Sequence, residues 1–432
     1  MKKSLIPILF LIVHGICLGQ RSSDHGGRFG PLAWKYQTDG KIFSSPLLYR
    51  HLLLFGSEDK YLYGLNATTG AVAWKFKTDG AVHGSPAVEG GKVFFTSRDG
   101  NFYAVDAGSG KLLWKFRTRG EKSAGAKGLW GMKPVTEYMD DPFDFFLSSP
   151  TTDPGAGLVY FGSGDGNLYA LNMTDGKLQW KFPTGGIIHT APVLSDGTLY
   201  FGGWDRYLYA VDSRTGKEKW KFQTRADTSY HLLEGIQASP LVYNGHVFLG
   251  ARDGYFYALD AATGQPTWKY SANSSWILTT ATAKDHVIYT GTSDSYLLLA
   301  LDEATGKEKF RTTANGYVYS SPVIADNTIY FGDFTGQLLA VDRLSGEIID
   351  RYETPGRLKN ADSILNKGKL DFAYMTKGMD LAYYTTTVVG MDKLYTLGPI
   401  LTRPVVDKGV IYFGSADGCL YAVRLTADTV SH

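Results

Sequence analysis

The chain has 432 residues, with 44 Lys+Arg against 42 Asp+Glu, a formal charge of +2. So even a balance excludes a nucleic-acid or anionic-membrane binder that works through bulk charge. Charged residues at 20% and hydrophobic ones at 44% exclude disorder, while 14% aromatics and 51 glycines point to short strands joined by tight turns.

Met1-Lys2-Lys3 followed by the apolar run Leu5–Val13 reads as an export signal, too short to span a bilayer. Cys17 and Gly19 supply the small residues before a cut at Gln20, so residues 1–19 are a signal peptide and 20–32 a linker. Lipid attachment at Cys17 is disfavoured, because His14 and Ile16 stand where a lipobox wants Leu and a small residue. Loss of Cys17 leaves Cys419 as the only cysteine, so an internal disulfide is excluded. The expected location is the periplasm or cell envelope.

From residue 33 to 425 one motif is written eight times. It opens on a lone strand around Ala33–Tyr36, whose Trp34 recurs 40 residues on as Trp74 and again as Trp114. Trp180, Trp220 and Trp268 continue the series, and Phe310 and Asp350 hold the place in two decayed copies. Each copy predicts four strands. Strand A follows a small-residue pair and a proline, as in Ser44-Ser45-Pro46-Leu47-Leu48. Strand B is apolar (Leu199–Gly202), strand C mixed (Asn167–Leu171), and strand D alternating (Leu178–Phe182). Between C and D runs a turn such as Asp260-Ala-Ala-Thr-Gly264, with an Asp to bind backbone N–H groups and a Gly for positive φ. The aspartate between B and C (Asp59, Asp99, Asp165, Asp205, Asp253, Asp294, Asp417) is read as a turn residue.

The expected fold is therefore an all-β, eight-bladed propeller of four-stranded antiparallel blades. The last copy stops after strand C, at Leu420–Val423, and the first strand of the chain is a spare strand D. Closing the ring by pairing the two uses both, leaving 426–432 as a tail.

The series Asn66–Trp74, Asp106–Trp114, Asn172–Trp180, Asp212–Trp220 and Asp260–Trp268 fits Asp/Asn-x-x-(Thr/Ser/Asp)-Gly-x-x-x-Trp. It resembles the tryptophan-docking repeat of quinoprotein-type (PQQ-like) propellers, and the chain is similar to the BamB-type outer-membrane assembly propellers. The resemblance implies that Trp34, Trp74, Trp114, Trp180, Trp220 and Trp268 pack against neighbouring blades as structural residues.

Function is sought where the period breaks. Three insertions, at 119–146, 225–236 and 357–399, fall between strand D of one blade and strand A of the next. D–A and B–C connections leave a blade on the same side, so all three decorate one face. The tryptophans outside the repeat, Trp130, Trp204 and Trp276, map to that face, with Arg206 beside Trp204. The residues ahead of the strand-A prolines line the mouth of the axis there. His83, His189, Gln237 and Tyr319 are its polar or aromatic members, and Arg403, in a position that is otherwise Ser, Thr or Ala, suits a carboxylate or phosphate. A competing reading pairs Arg403 with Asp140 or Asp141. His83, His189 and His231 lack the spacing of a metal site, and none is expected.

The expectation is an exported, monomeric, non-enzymatic propeller that binds a protein or small ligand on the insertion face, without cofactor, nucleic acid or a transmembrane segment. Two alternatives remain. The resemblance also implies a quinoprotein dehydrogenase with PQQ on the axis, Ca²⁺ held by acid and amide ligands, and an Asp base. The aromatic face fits a carbohydrate-binding propeller.

Overall fold

In the computed structural model, which describes residues 27–226 and 234–427, the repeats become eight four-stranded antiparallel sheets in the order A-B-C-D. Blade 1 is Leu47–Tyr49, Leu52–Gly56, Tyr61–Asn66 and Val72–Lys77. Blades 2 to 7 begin at Ala87, Thr151, Val193, Leu241, Thr282 and Val323. Blade 8 begins at Val405. Strands B and C are buried almost throughout, as in Leu52–Gly56 and Leu62–Leu65. They lie mid-sheet with a blade on each side, so both faces must be apolar. Strand D is the outer edge and alternates, which is why its Lys and Trp or Phe interleave.

Each repeat tryptophan reaches the next blade. Its indole N–H donates to a carbonyl of the neighbouring C–D turn: Trp34 to Ala67 (3.0 Å), Trp74 to Ala107 (3.0 Å) and Trp114 to Met173 (3.2 Å). Trp180 reaches Ser213 (3.2 Å), Trp220 reaches Ala261 (3.0 Å) and Trp268 reaches Glu303 (2.8 Å). The turn glycine makes the seat. Gly264 has φ +73°, and a Cβ there would lie 2.5 Å from the Trp220 ring.

The ring closes through the first strand. Gly27–Gln37 pairs antiparallel with Cys419–Ala427, for example Tyr36 with Leu420. This strand starts ahead of residue 33, so residues 27–32 are strand and not linker, and strand C of blade 8 runs past 425 into what was read as tail. The extra length has a local cause. Blade 8 has no C–D turn for blade 7 to dock on, because its C and D strands belong to opposite ends of the chain. Asp350, in the tryptophan's place, accepts the N–H of Phe29 instead (2.8 Å), and Tyr330 Oη accepts that of Gly27 (2.5 Å).

Two insertions carry their own structure. The first holds a two-stranded ribbon, Gly125–Lys127 with Tyr138–Asp140. The third holds helices α1 (Pro355–Ile364), α2 (Phe372–Met375) and α3 (Tyr384–Tyr395). Residues 227–233 of the second, residues 1–19, expected to be a signal peptide, residues 20–26 and residues 428–432 lie outside the described residues. Among the described residues no helix is long and apolar enough to cross a membrane.

Candidate functional site

The first and third insertions fuse into one cap over a single face of the ring. Lys133 N–H donates to Ala382 O (2.7 Å) and Tyr384 N–H to Lys133 O (3.0 Å), and Tyr384 Oη donates to Asp140 O (2.7 Å). Polar side chains from B–C turns and strand-A approaches pin the first insertion from below. Arg98 donates through Nη2 to Asp144 O (2.7 Å) and through Nη1 to Ser123 Oγ (3.1 Å). Arg252, fully buried, ion-pairs with the equally buried Asp141, and its guanidinium also donates to Gln237 Oε1 (2.7 Å). Gln237 in turn donates to Phe143 O (2.7 Å).

The two expected axial histidines take opposite states. His189 Nδ1 lies 2.7 Å from Asp144 Oδ1, and Nε2 lies 3.4 Å from Glu121 Oε2. Burial alone would lower its pKa, but Asp144 and Glu121 carry it up to about 9, so it is an imidazolium at neutral pH. His83 is pushed down to about 3 by burial and by the Arg98 guanidinium, and it accepts from Arg98 Nε through Nδ1 (3.3 Å). His231 lies outside the described residues. Among the described residues no cluster of His, Cys, Asp and Glu is arranged for a metal.

Beside the axis, under the cap, is a cavity of about 840 Å³ lined by residues of both insertions and of blades 5 to 7. The rings of Trp130 and Trp276 meet in its wall at 5.8 Å, with Phe143 at 5.8 Å from Trp130. Trp130 sits at φ +56°, a left-handed conformation unusual for a bulky residue, and its buried Nε1 has no hydrogen-bond partner among the described residues. Arg252 is sandwiched between Trp204 (4.3 Å) and Trp276 (4.2 Å), a cation–π stack of about 2 kcal/mol when desolvated. Tyr319 lines the same cavity and packs edge-on to Phe334 at 5.0 Å. Asp294 also lines it. The other B–C aspartates are spent on their turns, as where Asp205 accepts from Tyr207 N–H (3.2 Å) and Tyr209 Oη (2.7 Å). Asp294 accepts from Ser293 Oγ (2.9 Å), and burial raises its pKa.

The structure thus brings Trp130, Trp204, Trp276, Gln237 and Tyr319 together around Arg252. It sets the others apart. Arg206 pairs with Glu234 (3.2 Å) at the rim. His83 and His189 anchor the first insertion and, with Gln237, Tyr319 and Arg403, also line the axial channel. Arg403 lies in the axial channel and does not pair with Asp140 or Asp141, since Arg252 takes Asp141. Above it the axis is plugged by Phe43 stacked on Phe145 (5.1 Å, 18°), with Phe146 alongside.

Sequence reasoning missed Arg252, Arg98 and Asp144, and it named Asp141 only as a partner for Arg403. A signal existed: the residue just before the B–C aspartate points under the cap, and it is Glu58, Arg98, Trp204 or Arg252 in four copies. Only the tryptophan had drawn notice.

The ring superposes on BamB from Moraxella catarrhalis with a TM-score of 0.65, covering 91% of this chain and 99% of that one at 16% identity. It superposes on the quinohemoprotein alcohol dehydrogenase of Comamonas testosteroni with a TM-score of 0.64, covering 94% of this chain and 78% of that one at 14% identity. At such identities the likeness is one of fold. No curated protein matches the sequence. The model of the family described as outer membrane protein assembly factor BamB matches residues 28–129, 125–274 and 271–368. That span takes in the closing strand, the docking tryptophans and most of the ring, and the chain belongs to this family of PQQ-like β-propellers.

Proposed function

We propose that this is an exported, non-enzymatic propeller that docks a protein partner on its cap. The observation that carries the reading is where the apolar surface lies. More than half of the large hydrophobic residues exposed among those described belong to the first and third insertions. Val135 and Tyr138 (both 60% exposed) and Leu381 (51%) are among them, on segments joined through Lys133 and Ala382. An apolar patch held on a built scaffold marks a contact surface. The family membership and the likeness to BamB favour a protein partner in the cell envelope.

The dehydrogenase reading finds less support. A quinone of that class would sit on the axis, but Phe43, Phe145, Tyr319 and Phe334 fill it. Asp141 and Asp144, two buried acids of the first insertion, are engaged with Arg252 and His189. These residues do not fit a planar quinone with a cation beside it.

The test is site-specific photo-crosslinking in intact cells. A photoreactive residue at Tyr138 or Leu381 should give one discrete protein adduct, and one at Thr68 or Thr215, in C–D turns of the opposite face, should give none. Adducts only from the C–D turns would overturn the assignment. So would turnover of a primary alcohol by the purified protein on addition of PQQ and Ca²⁺.

A further inference from the structure

Beneath the Phe43–Phe145 plug the axis widens into a polar void of about 100 Å³, room for a few waters or one small ion. Its wall is the ring of residues that precede the strand-A prolines. The ring is knitted by backbone donors: Arg403 N–H donates to Ser45 Oγ (2.9 Å), Ser45 N–H to Ser85 Oγ (2.9 Å), and Ser85 N–H to Ser149 Oγ (2.9 Å). Further round, Ala191 N–H donates to Ser239 Oγ (2.8 Å) and Thr280 N–H to Ser321 Oγ (3.0 Å). Each of these hydroxyl oxygens is therefore an acceptor already. No acceptor among the described residues takes their hydrogens, so they are left to donate into the void.

Arg403 completes the ring. Among the described residues no carboxylate and no hydrogen-bond acceptor reaches its guanidinium, and desolvation alone moves its pKa, downward. No carboxylate lines the void. Of the two histidines above, His83 is neutral and His189 is balanced by Asp144 and Glu121. The polar wall presents hydroxyl donors and one cation with no carboxylate, the inverse of a metal site, and Arg403, open to solvent at the end of the void, has a charge that no described residue pairs.

We propose that this axial void binds a small oxyanion of the phosphate or sulfate class, gripped by Arg403 and the hydroxyl ring. The plug closes the void toward the cap, whereas the first two residues of strand A are only partly buried in all eight blades. The ion enters from the face opposite the cap, and the site is separate from the docking surface.

The test titrates inorganic phosphate into the mature protein by calorimetry, at constant ionic strength held with chloride. One saturable site is expected, and in Arg403→Gln the affinity should fall by about tenfold or more, the loss of a charge-assisted grip. Ala191→Ser, which adds a hydroxyl to the ring, should tighten binding in the same assay. Crystals soaked in selenate should show an anomalous peak within hydrogen-bond distance of Arg403. No saturable binding, equal affinity in Arg403→Gln as in the parent, or a selenate peak only elsewhere would each overturn the proposal. A matching circular dichroism spectrum and melting curve for Arg403→Gln secures the comparison.

Discussion

His189 carries a charge where burial by itself would forbid one. Two carboxylates, Asp144 and Glu121, reverse the penalty and raise its pKa to about 9. A raised pKa stabilises the folded state fully below the unfolded value near 6.5, and that contribution is lost as pH climbs through about 9. The melting temperature should therefore fall between pH 7 and 9.5, and His189→Gln should flatten that fall. At pH 6 the same substitution should cost about 3 kcal/mol, since it takes from the buried Asp144 the cation bonded to its carboxylate. Thermal melts across the pH series check both. Cys419 is also buried, with Sγ donating to Gln37 Oε1 (2.9 Å) across the closing strand pair.

At the scale of the element, the blade-to-blade contact is a ring seated on a glycine. Trp220→Ala removes both the packing and the bond to Ala261 and should cost about 3–5 kcal/mol in chemical denaturation. Gly264→Ala should also destabilise, by more than about 1 kcal/mol, because it adds a methyl against the Trp220 ring at a positive φ. The pair should be less than additive in a double-mutant cycle, since each substitution breaks the same seat. The B–C turns repeat one bond in six blades, where the aspartate accepts from a tyrosine four residues on. Asp294 has no tyrosine four residues on, Leu298 standing there, and its carboxylate accepts from Ser293 Oγ instead.

For the whole molecule, stability depends on a join between distant parts of the chain. Truncation through residue 26 leaves the pairing of Gly27–Gln37 with Cys419–Ala427 intact and should give a soluble monomer. Truncation through residue 37 exposes the Cys419–Ala427 edge and removes the partners of Asp350 and Tyr330. That protein should aggregate, as size-exclusion chromatography will show, because an unpaired strand edge recruits other edges. Equal solubility of the two would refute the role of the join. Closure also concentrates function: with every blade paired, the connections between blades are the parts left to vary.

The sequence by itself determined the ring. Its period, the alternating strand D, the turn motif and the spare first strand are local patterns repeated in register, and repetition averages away the ambiguity of any one copy. It also placed the first and third insertions on one face, since strand direction fixes which connections share a side. What it did not determine is how unique residues meet across the ring. Arg252 and Asp141 are far apart in the chain, and nothing in the 119–146 segment announces which of its five acids serve as anchors. Trp204 and Arg403 looked equivalent by strand count, yet one stacks on Arg252 beneath the cap and the other faces the axis below the plug. The physical reason is that repeat contacts are nearest-neighbour and so are written locally. The cap and the axis are built from single side chains of several blades at once, and only the closed tertiary structure brings those together.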